Sequence, residues 1–179
     1  IADACGKGAP AAIYATRVHD LLRLVSRYQS PETMENAERS LLEMLEAVNS
    51  VLSEDNDECW FVTAWVGIMS MQDNHLYWCS AGHCEALLQD SSGNVVALAS
   101  EIGLPLGLDE HSSIPVTSAL IEPGSRVHLY TDGITEHRNS DGEFLDLNGY
   151  AEILQETFVA DSNPASQCQD SADRVMNLN

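Results

Sequence analysis

The chain has 179 residues, 8 Lys and Arg against 28 Asp and Glu for a formal charge of −20, and 44% apolar residues. That describes one soluble globular domain or most of one, and it excludes nucleic acid as a partner, because phosphate contacts need the Lys and Arg that are scarce here. No window reaches the roughly 18–20 continuous apolar residues of a membrane span, and no basic and then apolar leader opens the chain, so a cytoplasmic location is expected.

The first element is a Gly-rich turn, Cys5-Gly6-Lys7-Gly8, after which Pro10 suits the first turn of a helix. Tyr14, Val18, Leu21, Leu22 and Val25 then recur with helical spacing. Ser30 is expected to cap a second helix, with Pro31 at its first position, Glu32 and Glu35 near its positive end, and Leu41, Leu45, Val48 and Leu52 on its buried face. Residues 9–52 thus read as a helical hairpin.

From Trp60 to Met71 the pattern changes to a nearly unbroken apolar run rich in β-formers. Asp73-Asn74 can turn it, and His75 to Cys79 returns as a second strand. Further strands are expected at 85–89, 94–98, 113–120 and 126–131, separated by Ser92-Gly93, Gly103-Leu104-Pro105-Leu106-Gly107 and Glu122-Pro123-Gly124. Leu147, Tyr150, Ile153, Leu154 and Phe158 restart the helical period, and a polar stretch from Ala160 to Gln167 leads to a last helix at about 168–178. Helices, a meander of antiparallel strands and helices again describe an α+β domain with helices packed on sheet.

The five cysteines, at 5, 59, 79, 84 and 168, are odd in number and form no C-x-x-C pair, so they read as reduced thiols, mostly buried. Trp60, Trp65 and Trp78 read as core or sheet-face packing, and Glu54-Asp55-Asn56-Asp57-Glu58 as a solvated loop. Two carboxylates sit beside glycine at the edge of an expected strand: Asp3, ahead of Gly6 and Gly8, and Asp132, in Tyr130-Thr131-Asp132-Gly133. Such a carboxylate suits a hard cation, since metal and substrate can come close to the backbone there, although either alone is more often an ordinary turn. A phosphate-binding P-loop is excluded, because Lys7 is followed by Gly8 and lacks the earlier glycine. Asn139-Ser140-Asp141-Gly142-Glu143 reads as a reverse turn and not a calcium loop.

The ordered set is more specific than any member. Asp3-Ala4-Cys5-Gly6-Lys7-Gly8 entering a Pro-Ala-Ala helix is followed by Phe61-Val62-Thr63-Ala64, Ser80-Ala81-Gly82-His83, Gly103-Leu104-Pro105-Leu106-Gly107, Pro123-Gly124-Ser125-Arg126 and Tyr130-Thr131-Asp132-Gly133-Ile134-Thr135-Glu136. This order closely resembles the bacterial PPM-type serine/threonine phosphatases of the SpoIIE-like (RsbU-like) branch, relatives of protein phosphatase 2C, over roughly residues 1 to 158. The resemblance implies a four-layer α-β-β-α sandwich with antiparallel sheets, and residues 1–179 as a single, partial phosphatase domain. It implies two divalent cations, Mn²⁺ or Mg²⁺, with Asp3 bridging both, the Ala4 backbone carbonyl as a further ligand, and Asp132 on one of them. Asp3 and Asp132 are therefore the residues expected to carry catalysis, by holding cations that turn water into a nucleophile.

Departures from the family pattern matter too. The histidine that the protein phosphatase 2C branch carries two residues after the bridging aspartate is Cys5 here, read as a buried spectator. The family's N-A-G-H-N-x-P stretch is Ser80-Ala81-Gly82-His83-Cys84-Glu85-Ala86, and His83 reads as a histidine satisfying a buried turn. An upstream G-G-D-x-x-D motif and a final Asp-Asp-(Ile/Val)-Thr motif are absent, and Asp170 and Asp173, in a helical segment, do not replace them. With no initiator Met, the chain is expected to be truncated at both ends. The resemblance implies a hydrolase acting on a phosphoprotein, an anti-anti-sigma-like regulator in a partner-switching pathway, with an upstream sensor or receiver domain acting through the helical hairpin. The alternative from another class is a catalytically inactive phosphatase-fold module that binds a partner as a regulator.

Overall fold

The computed structural model describes residues 1–27, 36–54, 56, 58–160 and 162–178. The chain divides into two compact units, Ile1–His83 with Ser100–Ile121, and Cys84–Ala99 with Glu122–Asn179. Among the described residues no helix is long and apolar enough to cross a membrane.

The first unit is one sheet with a helical pair on it. Strands β1 (Ala2–Ala4), β2 (Val62–Met69) and β3 (His75–Ala81) pair antiparallel in that order. The far side of β3 is shared: β7 (Thr117–Leu120) pairs antiparallel along its beginning, and β6 (Ile102–Gly103) pairs parallel at its end. That short parallel pairing departs from the antiparallel reading, and it falls in the Gly103 to Gly107 segment, where glycine and proline signal a turn. The strand expected over 113–120 is paired only from Thr117 onward.

Helix α1 (Ala9–Arg27) follows Gly6 and Gly8, both left-handed with φ of +84° and +78°, a backbone that glycine adopts without a Cβ penalty. Helix α2 (Ala37–Ser53) starts at Asn36, whose side chain accepts the Arg39 N–H at 3.1 Å. The expected cap at Ser30 and Pro31, with Glu32 and Glu35, lies outside the described residues. Leu41, Leu45, Val48 and Leu52 are all 0% exposed and pack with Val18, Val62, Cys79 and Leu106 in the first core. Trp65 and Trp78 stack at 6.5 Å within the buried sheet face, as expected of packing side chains.

In the second unit β4 (Leu87–Gln89) lies between β5 (Val95–Ala97) and β8 (Arg126–His128), all antiparallel. Three short helices follow: α3 (Asp132–Thr135), α4 (Asp146–Glu156) and α5 (Pro164–Met176). Leu87, Tyr130, Tyr150, Ile153, Leu154 and Val175 form the second core. Helix α5 begins inside the polar stretch, earlier than the expected start near 168, because Asn163 caps it by accepting the Ala165 N–H and Pro164 fills its first turn. Phe158 lies beyond α4, under the Arg126 guanidinium at 5.0 Å. Asn139 Oδ1 accepts the N–H groups of Asp141 and Glu143, so that segment is the reverse turn its sequence suggests. Each unit is sheet with helices packed on it, the α+β class read from the sequence.

Candidate active site

Asp3 is the middle residue of β1 and stands opposite Thr63. Side chains alternate along a strand, so Asp3 faces solvent while Ala4 turns toward the first core. Backbone groups alternate as well. Trp65 donates to the Ile1 carbonyl and Cys5 to the Phe61 carbonyl, both at 2.9 Å, so residues 1, 3 and 5 bond to β2. The Ala4 carbonyl then points to the open side of this edge strand. Among the described residues the Asp3 carboxylate has no hydrogen bond or ion pair. An exposed carboxylate followed by a free edge carbonyl is an all-oxygen donor set, the chemistry that Mg²⁺ and Mn²⁺ take.

Asp132 belongs to the other unit. The strand expected to run to residue 131 ends at His128, because its partner β4 is only three residues long. Asp132 instead opens the four-residue helix α3 after the cap residue Thr131. Its backbone carbonyl accepts the Glu136 N–H at 2.7 Å. Tyr130 is buried edge-on against Tyr150 at 5.1 Å, and Ile134 packs against the same core. These anchors on both sides leave the Asp132 carboxylate exposed, and among the described residues it too is without a hydrogen bond or ion pair. Among the described residues no three His, Cys, Asp or Glu side chains gather to hold a metal ion. Asp3, the Ala4 carbonyl and Asp132 supply only two side chains.

Cys5 is half-buried, where the sequence suggested a buried thiol; its sulfur accepts the Phe61 N–H at 3.3 Å. Of the five free cysteines only Cys79 is buried, Cys59 and Cys168 being exposed, which corrects the expectation that most are inside. Burial pushes the Cys79 thiol up to about 12, which removes it as a nucleophile.

His83 is 5% exposed and sits in the turn its sequence suggested. Ser80 Oγ donates to the His83 carbonyl at 2.9 Å and accepts the His83 N–H at 3.2 Å. Its Nδ1 also lies 2.9 Å from Thr63 Oγ1, on the residue opposite Asp3. Thr63 had no role in the sequence reading beyond its motif. Only the strand register, invisible in one sequence, brings it to Asp3.

The family described as Stage II sporulation protein E (SpoIIE) matches residues 1–179. The phosphoserine phosphatase RsbU of Bacillus subtilis is 26% identical over 156 residues, 87% of this chain and 44% of that protein. The chain spans less than half the length of the curated relatives it matches. Among solved structures, the RsbU and RsbW domains of Rv1364c from Mycobacterium tuberculosis superpose with a TM-score of 0.78 at 22% identity, covering 98% of this chain and 46% of that one. The PP2C phosphatase domain of SpoIIE from Bacillus subtilis, with a fragment of its regulatory domain, gives 0.74 at 20% identity, covering 99% and 47%. The fold is therefore that of the PP2C-type phosphatase domains.

Proposed function

Since the chain belongs to the SpoIIE family, we propose that it is a metal-dependent protein serine/threonine phosphatase. The observation that carries the reading is on β1: an exposed, unpaired Asp3 carboxylate directly before a carbonyl on the open edge of the sheet. Residues 1–179 act as one phosphatase domain built of the two units. Asp3, the Ala4 carbonyl and Asp132 would hold two divalent cations, Mn²⁺ or Mg²⁺. When bound, the cations supply a water that ionises near neutral pH and counter-charge for the phosphoryl oxygens.

The reaction is hydrolysis without a covalent enzyme intermediate. Water adds to phosphorus, the bond to the serine or threonine oxygen breaks, that oxygen takes a proton, and inorganic phosphate leaves. Cys5 is given no part in proton transfer on this reading; its sulfur accepts the Phe61 N–H. The cations set the local sign of charge, so the formal −20 of the chain does not repel a phosphoprotein from the site.

The substrate we propose is a phosphorylated regulatory protein of the anti-anti-sigma type, in the cytoplasm. A relative that carries the name phosphoserine phosphatase supports the phosphoserine part of this reading. An upstream sensor or receiver domain in the longer protein would act through α1 and α2, since α1 follows the Asp3 turn directly through Gly6 and Gly8.

The test is phosphate release from a phosphoserine protein by the full-length protein, with Mn²⁺ and with chelator, alongside Asp3→Asn and Asp132→Asn. Activity that needs Mn²⁺ and falls by at least about 100-fold in each variant is expected, by the size of effect that removing a catalytic electrostatic group has. A wild-type protein without Mn²⁺-dependent activity would instead favour the inactive binding module.

A further inference from the structure

We infer that Thr63 and His83 are positioning residues for the cation-binding strand, an inference that rests on Asp3 and Ala4 being ligands. Thr63 Oγ1 lies 3.3 Å from the Asp3 carbonyl oxygen and 2.9 Å from His83 Nδ1. The hydroxyl has one proton, and the carbonyl can only accept. Both contacts therefore hold together in one arrangement: His83 Nδ1–H donates to Thr63 Oγ1, and Thr63 Oγ1–H donates to the Asp3 carbonyl.

The far end of this relay is fixed. Ser80, 1% exposed, holds both backbone polar groups of His83 through its hydroxyl. Gly82 before it is left-handed at φ +69°, and a Cβ there would stand 2.6 Å from the Pro105 ring, so the turn has little freedom. The near end needs fixing. Among the described residues β1 pairs with β2 alone, so no second strand holds the Ala4 carbonyl in place.

The Thr63 hydroxyl adds a second bond to a carbonyl that the β1–β2 ladder already engages, and so fixes ψ of Asp3 more tightly. That angle directs the chain into Ala4 and so aims the next carbonyl, the second proposed ligand on the strand. The relay thus acts on both β1 donors at once without touching a cation, in the way that outer hydrogen bonds orient metal ligands.

The test is calorimetric titration of the full-length protein with Mn²⁺, together with the thermal midpoint measured without metal. Thr63→Val keeps the β-branched shape and removes the hydroxyl, whereas Thr63→Ser keeps the hydroxyl. Thr63→Val is expected to weaken Mn²⁺ binding by about 10-fold or more, in the range seen when an outer-shell partner is removed. Its metal-free midpoint should stay near that of the wild type, and Thr63→Ser should bind Mn²⁺ nearly normally. If Thr63→Val does not fold, His83→Phe is read in the same way. Unchanged Mn²⁺ affinity in Thr63→Val, with Asp3→Asn weakened, overturns the positioning role and leaves the ligand assignment standing. Unchanged affinity in Asp3→Asn as well overturns the ligand assignment and the relay with it. Equal losses in Thr63→Val and Thr63→Ser overturn the relay, because the hydroxyl would then not be the cause.

Discussion

Asn49, in the fourth turn of α2, accepts the backbone N–H of Gly107 at 2.8 Å and donates its amide to the Asp109 carbonyl at 2.8 Å. It is 1% exposed. Gly107 is left-handed at φ +92°, and a Cβ on it would fall 2.7 Å from the Tyr14 hydroxyl and 3.0 Å from the Trp60 carbonyl. One buried amide thus latches the Gly103 to Gly107 segment to the helical pair, at a glycine whose surroundings leave no room for a Cβ.

Asn49→Ala leaves the Gly107 N–H and the Asp109 carbonyl without this partner. At about 1–3 kcal/mol for the buried Gly107 N–H left unpaired and about 0.5–1.5 kcal/mol for the lost bond to the part-buried Asp109 carbonyl, the expected loss is about 2–4 kcal/mol. A thermal melt should fall by roughly 5–15 °C. Gly107→Ala should fall at least as far, because it adds backbone strain to the close contacts. A shift in Asn49→Ala of less than about 2 °C would mean the latch is not holding the segment.

What the sequence shows well is what a period can carry. Leu41, Leu45, Val48 and Leu52 are legible because helical spacing alone puts them on one face, and all four are fully buried. Asp3 and Asp132 stand out through neighbouring glycines, yet Thr63 does not, since its partner is 60 residues away and only register joins them. The same holds in the second unit. Gln89 is 0% and Gln167 1% exposed, although both types are usually at the surface. They are inside because Gln167 Nε2 donates to Gln89 Oε1 at 2.8 Å, both amides donate to the Leu154 carbonyl, and Arg126 donates to Gln167 Oε1. No local pattern announces a network whose members come from four separate segments. The end of the strand at His128 was equally hidden, being set by the length of a partner strand and not by residues 129–131 themselves.

The helical pair offers a second prediction. Leu45 is 0% exposed, in the centre of the first core, whereas Ile13 on α1 is 72% exposed. A charge introduced at Leu45 has no partner and would have to leave water, so Leu45→Asp is expected to cost more than about 4 kcal/mol and unfold the unit. It is therefore a stability variant and not a probe of signalling. Ile13→Asp should leave the melt within about 0.5 kcal/mol of wild type. If the helical pair relays an upstream signal by this face of α1, Ile13→Asp should change the ratio of stimulated to basal phosphatase rate in the full-length protein. An unchanged ratio with an unchanged melt would remove that face from the relay.

His128 gives the second unit a pH dependence whose sign can be worked out. Burial, with a smaller contribution from the Arg126 guanidinium, holds its pKa below the usual 6.5. Its Nε2 lies 3.2 Å from Gln89 Oε1, whose other partner is the Gln167 amide. In the unfolded chain the imidazole takes a proton near pH 6.5, while in the folded unit it stays neutral to a lower pH. The unfolded state therefore binds more protons in the window just below 6.5, and stability rises with pH across it. The contribution of His128 is complete above pH 6.5 and is lost as the pH falls toward the folded value. His128→Gln replaces the ring with a neutral amide that can still donate to Gln89. The thermal midpoint of the wild type should drop more steeply than that of His128→Gln between about pH 7.5 and pH 5.5, with the two curves converging in slope above 7. Parallel curves over the whole range would show that the imidazole is not the group being titrated.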